Sequence, residues 1–289
     1  MEEPPRLTIA ARFCGPAGSG NGGYTAGLLA GYVGSQDVGV DLGRPVRVTL
    51  RRPPPLDIAL EIRTAGGVTY LGHGETLIAE AEPGDLLADP PSPVSVEAAR
   101  RAEASYAGRA HHPFPSCFVC GTGRLSGDGL LLAPGPIRPG ETGCVWRPDR
   151  SLRGRNADGA NATASTDGPD GTNVTASPDG ANWPADEERE KAALSSGDCV
   201  AAEFVWSALD CPGGWTSDLD ARPLVLGRMT ATCDALPRIG EDYVVVGRLL
   251  DIQRRKTYTA AALYDVDGQL LARAEHIWIA VDPATFSTS

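Results

Sequence analysis

The segment N-G-G-Y-T-A-G-L-L-A, which begins at Asn21, places two consecutive glycines before an apolar helical run. Because glycine costs about 1 kcal/mol relative to alanine inside a helix, we expect Gly22 and Gly23 at a helix start, where the backbone must approach another group closely. The first helical turn carries N–H groups without helical partners and a partial positive charge. The segment therefore predicts a site for a carbonyl oxygen or an oxyanion. Tight packing of the helix against a sheet is the alternative reason for the glycines.

A cluster of three cations, Arg254, Arg255 and Lys256, lies where two predicted strands meet. Guanidinium and ammonium groups bind phosphates, so this cluster is a candidate for binding the phosphates of a ligand. A charged hairpin tip without a ligand is the alternative interpretation.

Two histidines and two cysteines, His111, His112, Cys117 and Cys120, form the pattern H-H-x4-C-x2-C. Imidazoles and thiolates are the usual ligands of zinc, and such a pattern is compatible with a zinc site. The sequence contains only one C-x-x-C, however, so we predict no metal site and no cofactor.

The elements that would position these residues occur twice along the chain. Helices are predicted over residues 22–33 and roughly 200–210, and each is followed by long alternating segments typical of antiparallel strands. The last strands also resemble each other, since GETLIAEAE at Gly74 and GQLLARAE at Gly268 both contain G, L and A-x-A-E in that order. This repetition predicts an internal duplication.

The composition divides the chain further. Residues 156–188 carry seven carboxylates and no Lys or Arg, so the formal charge of -11 leaves only -4 elsewhere, and no basic surface for nucleic acid is indicated. We predict a first unit over residues 1–92, a linker over residues 93–112 and a second unit over residues 113–285. A disordered insertion is predicted over about residues 152–190, because this stretch has almost no large apolar side chains.

The compartment is predicted from what the sequence lacks. The start M-E-E-P-P-R has acids where a signal peptide has bases, and no apolar run approaches the roughly 18 residues of a membrane-spanning helix. Seven cysteines, an odd number, are more typical of reduced thiols than of a disulfide framework. We therefore expect a cytoplasmic protein without a membrane partner.

Three short motifs, by their order along the chain and together with the duplication, resemble those of the double hot-dog acyl-CoA thioesterase-like family. C-F-V-C-G at Cys117 is similar to the C-x-x-C-G opening of many hot-dog thioesterases, which use it without an obligatory metal. N-G-G at Asn21 is similar to their H-G-G helix start, and F-V-W-S-A-L-D resembles the segment that carries their catalytic acid. The resemblance covers nearly the whole chain outside the insertion. It implies an α+β fold of two tandem hot-dog repeats, each an antiparallel sheet wrapped around a long helix.

The resemblance also implies one composite site. In the family the acid lies nine positions after the histidine of H-G-G; here the first half has Ala30 at that position, whereas the second half has Asp210 but no glycine pair. We therefore expect Gly22 and Gly23 of one half to face Asp210 of the other, with Asp210 as general base or nucleophile. Pro212 and the two glycines after it should end or kink the helix, which places Asp210 near the C-terminal end of the helix. Burial and the helix dipole are expected to raise the pKa of Asp210 there.

The family's remaining site residues match less well. A glutamine on its last strand corresponds here to His276, or to Glu275 if the register shifts by one, and its threonine has Thr230 as the nearest hydroxyl. We expect His276 to orient water beside Asp210, with a solvated or packed histidine as the alternative. Tyr24 is a candidate for the wall of an acyl tunnel, and core packing is the alternative for it.

The resemblance implies a hydrolase that cleaves an acyl-CoA or acyl-carrier thioester to an acid and a thiol, as in fatty acid metabolism. The carbonyl would be polarised at the glycine helix start. A non-catalytic acyl-thioester-binding protein is the second interpretation, and an acyl-thioester hydratase or dehydratase is the third. Chains of this type are expected to form homo-oligomers.

Overall fold

The computed structural model describes residues 4–34, 42–153, 199–282 and 284, and the predicted insertion lies almost entirely outside these residues. The described residues contain three α-helices and eleven strands. The helices are α1 (Gly22–Ala30), α2 (Val96–Glu103) and α3 (Ala202–Gly214). The strands of the first half are β1 (Arg6–Thr8), β2 (Val46–Leu50), β3 (Ala59–Ala65), β4 (Val68–His73) and β5 (Thr76–Pro83). Those of the second half are β6 (Gly135–Arg138), β7 (Glu141–Trp146), β8 (Leu224–Cys233), β9 (Tyr243–Gln253), β10 (Lys256–Tyr264) and β11 (Leu270–Ala280).

All eleven strands form one antiparallel sheet in the order β1-β3-β4-β5-β2-β8-β11-β10-β9-β7-β6. The strand order β1-β3-β4-β5-β2 of the first half recurs as β7-β9-β10-β11-β8 in the second. The halves join where β2 pairs with β8, with Val46 opposite Ala231. One continuous sheet therefore carries both halves, and its shared seam lies between these two strands.

Helices α1 and α3 pack against each other and against the sheet, and the main core lies between them and the strands. A Cβ built on Gly27 would lie 2.7 Å from Glu203 Cα and 2.9 Å from Trp206 Cβ. Glycine at this position is therefore required for the observed approach of the two helices. Helix α1 ends at Ala30, three residues earlier than predicted.

Helix α2, which the sequence assigned to a linker, packs on β6, β7 and β9 of the second half. Alternate residues of β9 explain this contact: Val245 belongs to the main core, whereas Val244 and Val246 pack in a second core with Ala99 of α2. A strand buried on both faces needs a continuous apolar run, and Y-V-V-V provides it.

The end of α3 differs from the prediction. Pro212 does not end the helix, which continues to Gly214, four residues beyond the predicted end at Asp210. Contacts explain the two glycines instead. A Cβ on Gly213 would lie 2.6 Å from Thr259 Oγ1, which is too close, and a Cβ on Gly214 would be in tight contact with the Trp278 ring at 3.2 Å. Asp210 consequently lies one turn before the end of the helix. No helix among the described residues combines the length and the apolarity needed to span a membrane.

Candidate active site

The start of α1 and the carboxylate of Asp210 meet across the interface of the two helices. The Gly23 backbone N–H donates a hydrogen bond to Asp210 Oδ2 at 3.1 Å, and Asn21 Nδ2 donates to the same oxygen at 3.0 Å. Asp210 is only 2% exposed. The structure thus brings together Asn21 and Gly23 from the first half with Asp210 from the second, as the composite arrangement requires.

Asn21 is also the reason that α1 begins where it does. It is the N-cap residue, and its Oδ1 accepts a hydrogen bond from the Tyr24 backbone N–H at 2.9 Å. An asparagine side chain is a favoured N-cap because it satisfies one of the unpaired amides of the first turn. With its oxygen fixed in this way, the amide nitrogen points at Asp210.

The glycine pair is sterically required. A Cβ on Gly23 would lie 2.6 Å from Asp210 Cβ and 2.8 Å from the Trp206 carbonyl oxygen, and a Cβ on Gly22 would lie 2.7 Å from Leu226 Cβ. Tight packing, the alternative in the sequence, therefore applies to both glycines. The close approach at Gly23 is at the same time what allows its amide to reach the carboxylate.

A pocket of about 230 Å³ opens beside this contact. Asn21, Gly22 and Asp210 line it together with apolar side chains, which include Leu50, Phe114, Trp215, Leu226 and Trp278. Arg51 and Arg52 also line the pocket and are exposed, so they stand at its solvent side. These two arginines directly follow the strand β2 and belong to no motif that marks them as site residues in the sequence.

Asp210 is a buried carboxylate in which only one of the two oxygens has a hydrogen-bond partner among the described residues. No described residue forms a hydrogen bond to its Oδ1 atom. Burial, and secondarily the nearby Cys117, raises the pKa of Asp210 to about 7, while the hydrogen bonds from Gly23 and Asn21 act in the opposite direction. The rise is in the direction predicted, and burial is its main cause.

Three cysteines form a compact group against the same pocket. The Sγ atoms of Cys117, Cys120 and Cys211 all lie within 4.8 Å of one another, and all three residues are buried. Cys117 Sγ and Cys211 Sγ are 3.8 Å apart, and hydrogen bonds from Cys120 and Cys211 lower the pKa of the Cys117 thiol. The C-x-x-C was noted in the sequence, but Cys211 was missed because it lies on another element, 91 positions after Cys120.

The residues that correspond to the family's glutamine and threonine, His276 and Thr230, do not line the pocket beside Asp210. His276 is buried, its Nδ1 lies 3.1 Å from Thr259 Oγ1, and it is not among the residues that line the pocket. Burial lowers the pKa of His276 to about 3, so the ring is neutral. In place of a water-orienting role beside Asp210, the structure gives His276 a packed position against Thr259 and the Trp278 ring.

Thr230 lies on the other face of the sheet. It is opposite Glu275 in the pairing of β8 with β11, and directly opposed residues of an antiparallel pair project from the same face. Glu275 accepts hydrogen bonds from the Leu87 and Ala88 amides, and Thr230 Cγ2 would lie 3.1 Å from a Cβ on Gly84. Both side chains therefore face the segment after β5 and not the helices, which places Thr230 away from the pocket.

Two other predicted groups have clear positions. The Tyr24 ring stacks on Phe13 with centroids 4.1 Å apart and packs in the core, and it does not line the pocket. Arg254 and Arg255 form the turn between β9 and β10, and Lys256 lies opposite Ile279, which lines the pocket. This charged hairpin is exposed and lies one strand from the pocket wall.

A helix in each half that packs on one antiparallel sheet matches the hot-dog architecture that the sequence resemblance implied. No protein-family model matches the sequence, and no curated protein matches it either.

Several solved structures are similar to this chain over most of its length. A proposed thioesterase II from Thermobifida fusca YX is 13% identical with a TM-score of 0.53, and the match covers 98% of this chain and 94% of that one. The tesB protein of Mycobacterium avium subs paratuberculosis is 12% identical with a TM-score of 0.48, over 91% of this chain and 87% of that one. The acyl-CoA thioesterase II TesB2 of Mycobacterium marinum is 12% identical with a TM-score of 0.45, over 92% and 91%. At 13% identity, the likeness to the first of these structures is one of fold alone.

Proposed function

We propose that the chain is a double hot-dog thioester hydrolase, which cleaves an acyl-CoA to a carboxylic acid and a thiol with Asp210 as the reacting carboxylate. The recurrence of one strand order on both sides of the β2–β8 seam supports two tandem repeats. The observation that carries the catalytic part is the buried carboxylate at the pocket wall, held through Oδ2 by Asn21 and Gly23 and without a described partner at Oδ1.

The proposed reaction uses the carboxylate of Asp210 and the first backbone amide of α1. A water molecule hydrogen-bonded to Asp210 Oδ1 attacks the thioester carbonyl carbon, and the carboxylate accepts the proton of the water. The negative charge that develops on the carbonyl oxygen is stabilised by the Gly22 amide, because Gly22 is the residue of the first helical turn that lines the pocket beside Asn21. The C–S bond then breaks, and the leaving thiolate takes the proton from Asp210.

The substrate class follows from the same pocket. The apolar side chains on its wall suit an acyl group, whereas Arg51 and Arg52 on the solvent side suit the phosphates of coenzyme A. The hairpin at Arg254, one strand away, would extend this cationic surface.

The test is thiol release from a panel of acyl-CoAs by the purified full chain. We expect release by the wild type, and a loss of about 10²–10⁴-fold in kcat for Asp210→Asn, the range for a general base. Asparagine fits this position because its amide oxygen can accept from Asn21 and Gly23, while its NH2 replaces an oxygen that has no described partner. Asp234→Asn, which removes an exposed carboxylate distant from the pocket, is the control and keeps full activity.

Two observations favour the second candidate, a non-catalytic acyl-thioester-binding protein. The Gly23 amide is already paired with Asp210, and neither Thr230 nor His276 lines the pocket. Saturable acyl-CoA binding without thiol release by the wild type would establish this alternative, and equal hydrolysis by wild type and Asp210→Asn would remove Asp210 from the reaction.

A further inference from the structure

The cysteine group has the dimensions of a metal site. In a tetrahedral zinc site with Zn–S distances of about 2.3 Å, two sulfurs lie about 3.8 Å apart. Cys117 Sγ and Cys211 Sγ lie 3.8 Å apart, and Cys120 Sγ lies within 4.8 Å of both. A single cation placed between the three sulfur atoms would therefore lie within coordination distance of each, after small side-chain rotations.

The backbone around the C-x-x-C forms a tight turn. The Gly121 amide donates to the Cys117 carbonyl oxygen at 2.9 Å. A Cβ on Gly121 would lie 2.4 Å from that oxygen, so only glycine fits after Cys120. Such a turn presents the two cysteine sulfurs side by side, as a metal site requires.

Side-chain N–H groups also point at the sulfurs. Trp215 Nε1 donates to Cys120 Sγ at 3.4 Å, and Asn21 Nδ2 lies 3.9 Å from Cys117 Sγ. His112 Nε2 is 3.4 Å from Cys120 Sγ, and because His112 Nδ1 accepts from the Phe114 amide, the ring proton belongs on Nε2 and points at this sulfur. Metal-bound sulfurs typically have such donors around them, whereas thiols are weak acceptors.

From this geometry we propose that Cys117, Cys120 and Cys211 bind one zinc ion, whose fourth coordination position opens on the ligand pocket. All three residues line that pocket, and three protein ligands leave one position for water or a ligand group. His112 is assigned as a hydrogen-bond donor to the site. Binding releases the protons of the three thiols and joins the C-x-x-C turn to the end of α3.

The test measures metal and not hydrolysis, so it is independent of the proposed reaction. The full chain is produced with zinc in the medium, freed of any affinity tag and kept reduced, and its metal content is measured by mass spectrometry. We expect about one zinc per chain in the wild type and less than about a tenth of that in Cys120→Ser. Cys144→Ser and Cys233→Ser change cysteines that are equally buried but outside the group, and they keep the metal.

A second measurement covers the case in which Cys120→Ser does not fold. A strong chelator added to folded wild type should remove the zinc and make the three cysteines reactive toward a thiol reagent, and Co²⁺ added afterwards should give intense sulfur-to-cobalt charge-transfer absorption. The proposal is overturned by a reduced, zinc-supplied wild type without stoichiometric metal, by a cobalt spectrum without that absorption, or by loss of the metal in Cys144→Ser.

Discussion

The contact between Gly23 and Asp210 can be isolated by comparing two glycine substitutions in one helix. Gly23→Ala places a Cβ 2.6 Å from Asp210 Cβ, and Gly27→Ala places one 2.7 Å from Glu203 Cα. Both substitutions crowd the same interface of α1 with α3 by nearly the same amount. Only the first lies at the amide that donates to the carboxylate.

The magnitudes follow from these distances. An ordinary contact needs 3.4 Å, so the methyl group of Gly23→Ala forces a separation of 3.4 − 2.6 = 0.8 Å. Along the hydrogen bond this would lengthen the 3.1 Å distance to 3.9 Å, beyond hydrogen-bonding range. Overpacking costs about 1–3 kcal/mol, and loss of a hydrogen bond to a charged group costs about 1.5–3 kcal/mol. Alanine regains about 1 kcal/mol in helix propensity.

We therefore expect the free energy of unfolding to fall by about 2–5 kcal/mol in Gly23→Ala and by about 0–2 kcal/mol in Gly27→Ala. Urea denaturation of the reduced protein, followed by fluorescence and circular dichroism, measures both values. In the thiol-release assay Gly23→Ala should lose activity because Asp210 shifts, while Gly27→Ala should match the wild type. Equal destabilisation by the two substitutions would mean that the amide–carboxylate hydrogen bond contributes no stability, and the reasoning would fail.

Two further predictions concern a buried histidine and the solvent side of the pocket. The pKa of His276 is about 3 in the folded chain and 6.5 in the unfolded chain, so between these pH values the unfolded chain binds a proton that the folded chain does not. The free energy of unfolding should therefore fall as the pH drops from 6.5 toward 3, by about 2 kcal/mol at pH 5. Denaturation of His276→Gln across this range should lack that component, and an identical pH profile would contradict the buried neutral ring. Arg52→Ala should raise KM about fivefold for an acyl-CoA, the effect of about 1 kcal/mol at an exposed charge, and leave KM unchanged for an acyl thioester of a short thiol without phosphates. An equal rise for both substrates would exclude phosphate binding by Arg52.

The fold was predictable from local patterns because those patterns act within single elements. The glycine pair begins a helix as expected, and Gly66 and Gly67, with φ of 60° and 81°, form the turn between β3 and β4. The strand patterns predicted antiparallel strands in both halves, but not the pairing of β2 with β8 that joins them in one sheet. The packing of α2 on the second half could not be predicted from its own residues, because nothing local to α2 shows that β9 has two buried faces.

The site was predictable only where a resemblance linked distant residues. Asp210 is 187 positions from Gly23, and no periodicity in the sequence relates the two residues. Only the similarity to the H-G-G and acid pattern connected them. Thr230 was only the hydroxyl nearest to the position expected from the resemblance, and the structure places it on the face of the sheet away from the helices, because successive residues of a strand face opposite sides. Cys211 was missed for a related reason. A motif search that looks for paired C-x-x-C segments has no means to find a third thiol from a helix.

Asn21 shows why a departure from the family's pattern is compatible with a formed site. It stands where H-G-G has histidine, and its side chain makes three directed contacts: Oδ1 accepts from Tyr24, and Nδ2 donates to Asp210 and lies 3.9 Å from Cys117 Sγ. Neutral histidine has one donor and one acceptor and cannot make all three. Because Asp210 and Cys211 are consecutive residues of α3, this helix positions both the carboxylate and one thiol of the three-cysteine group. The asparagine is therefore the residue through which the helix cap, the proposed reacting carboxylate and the proposed metal site depend on one another.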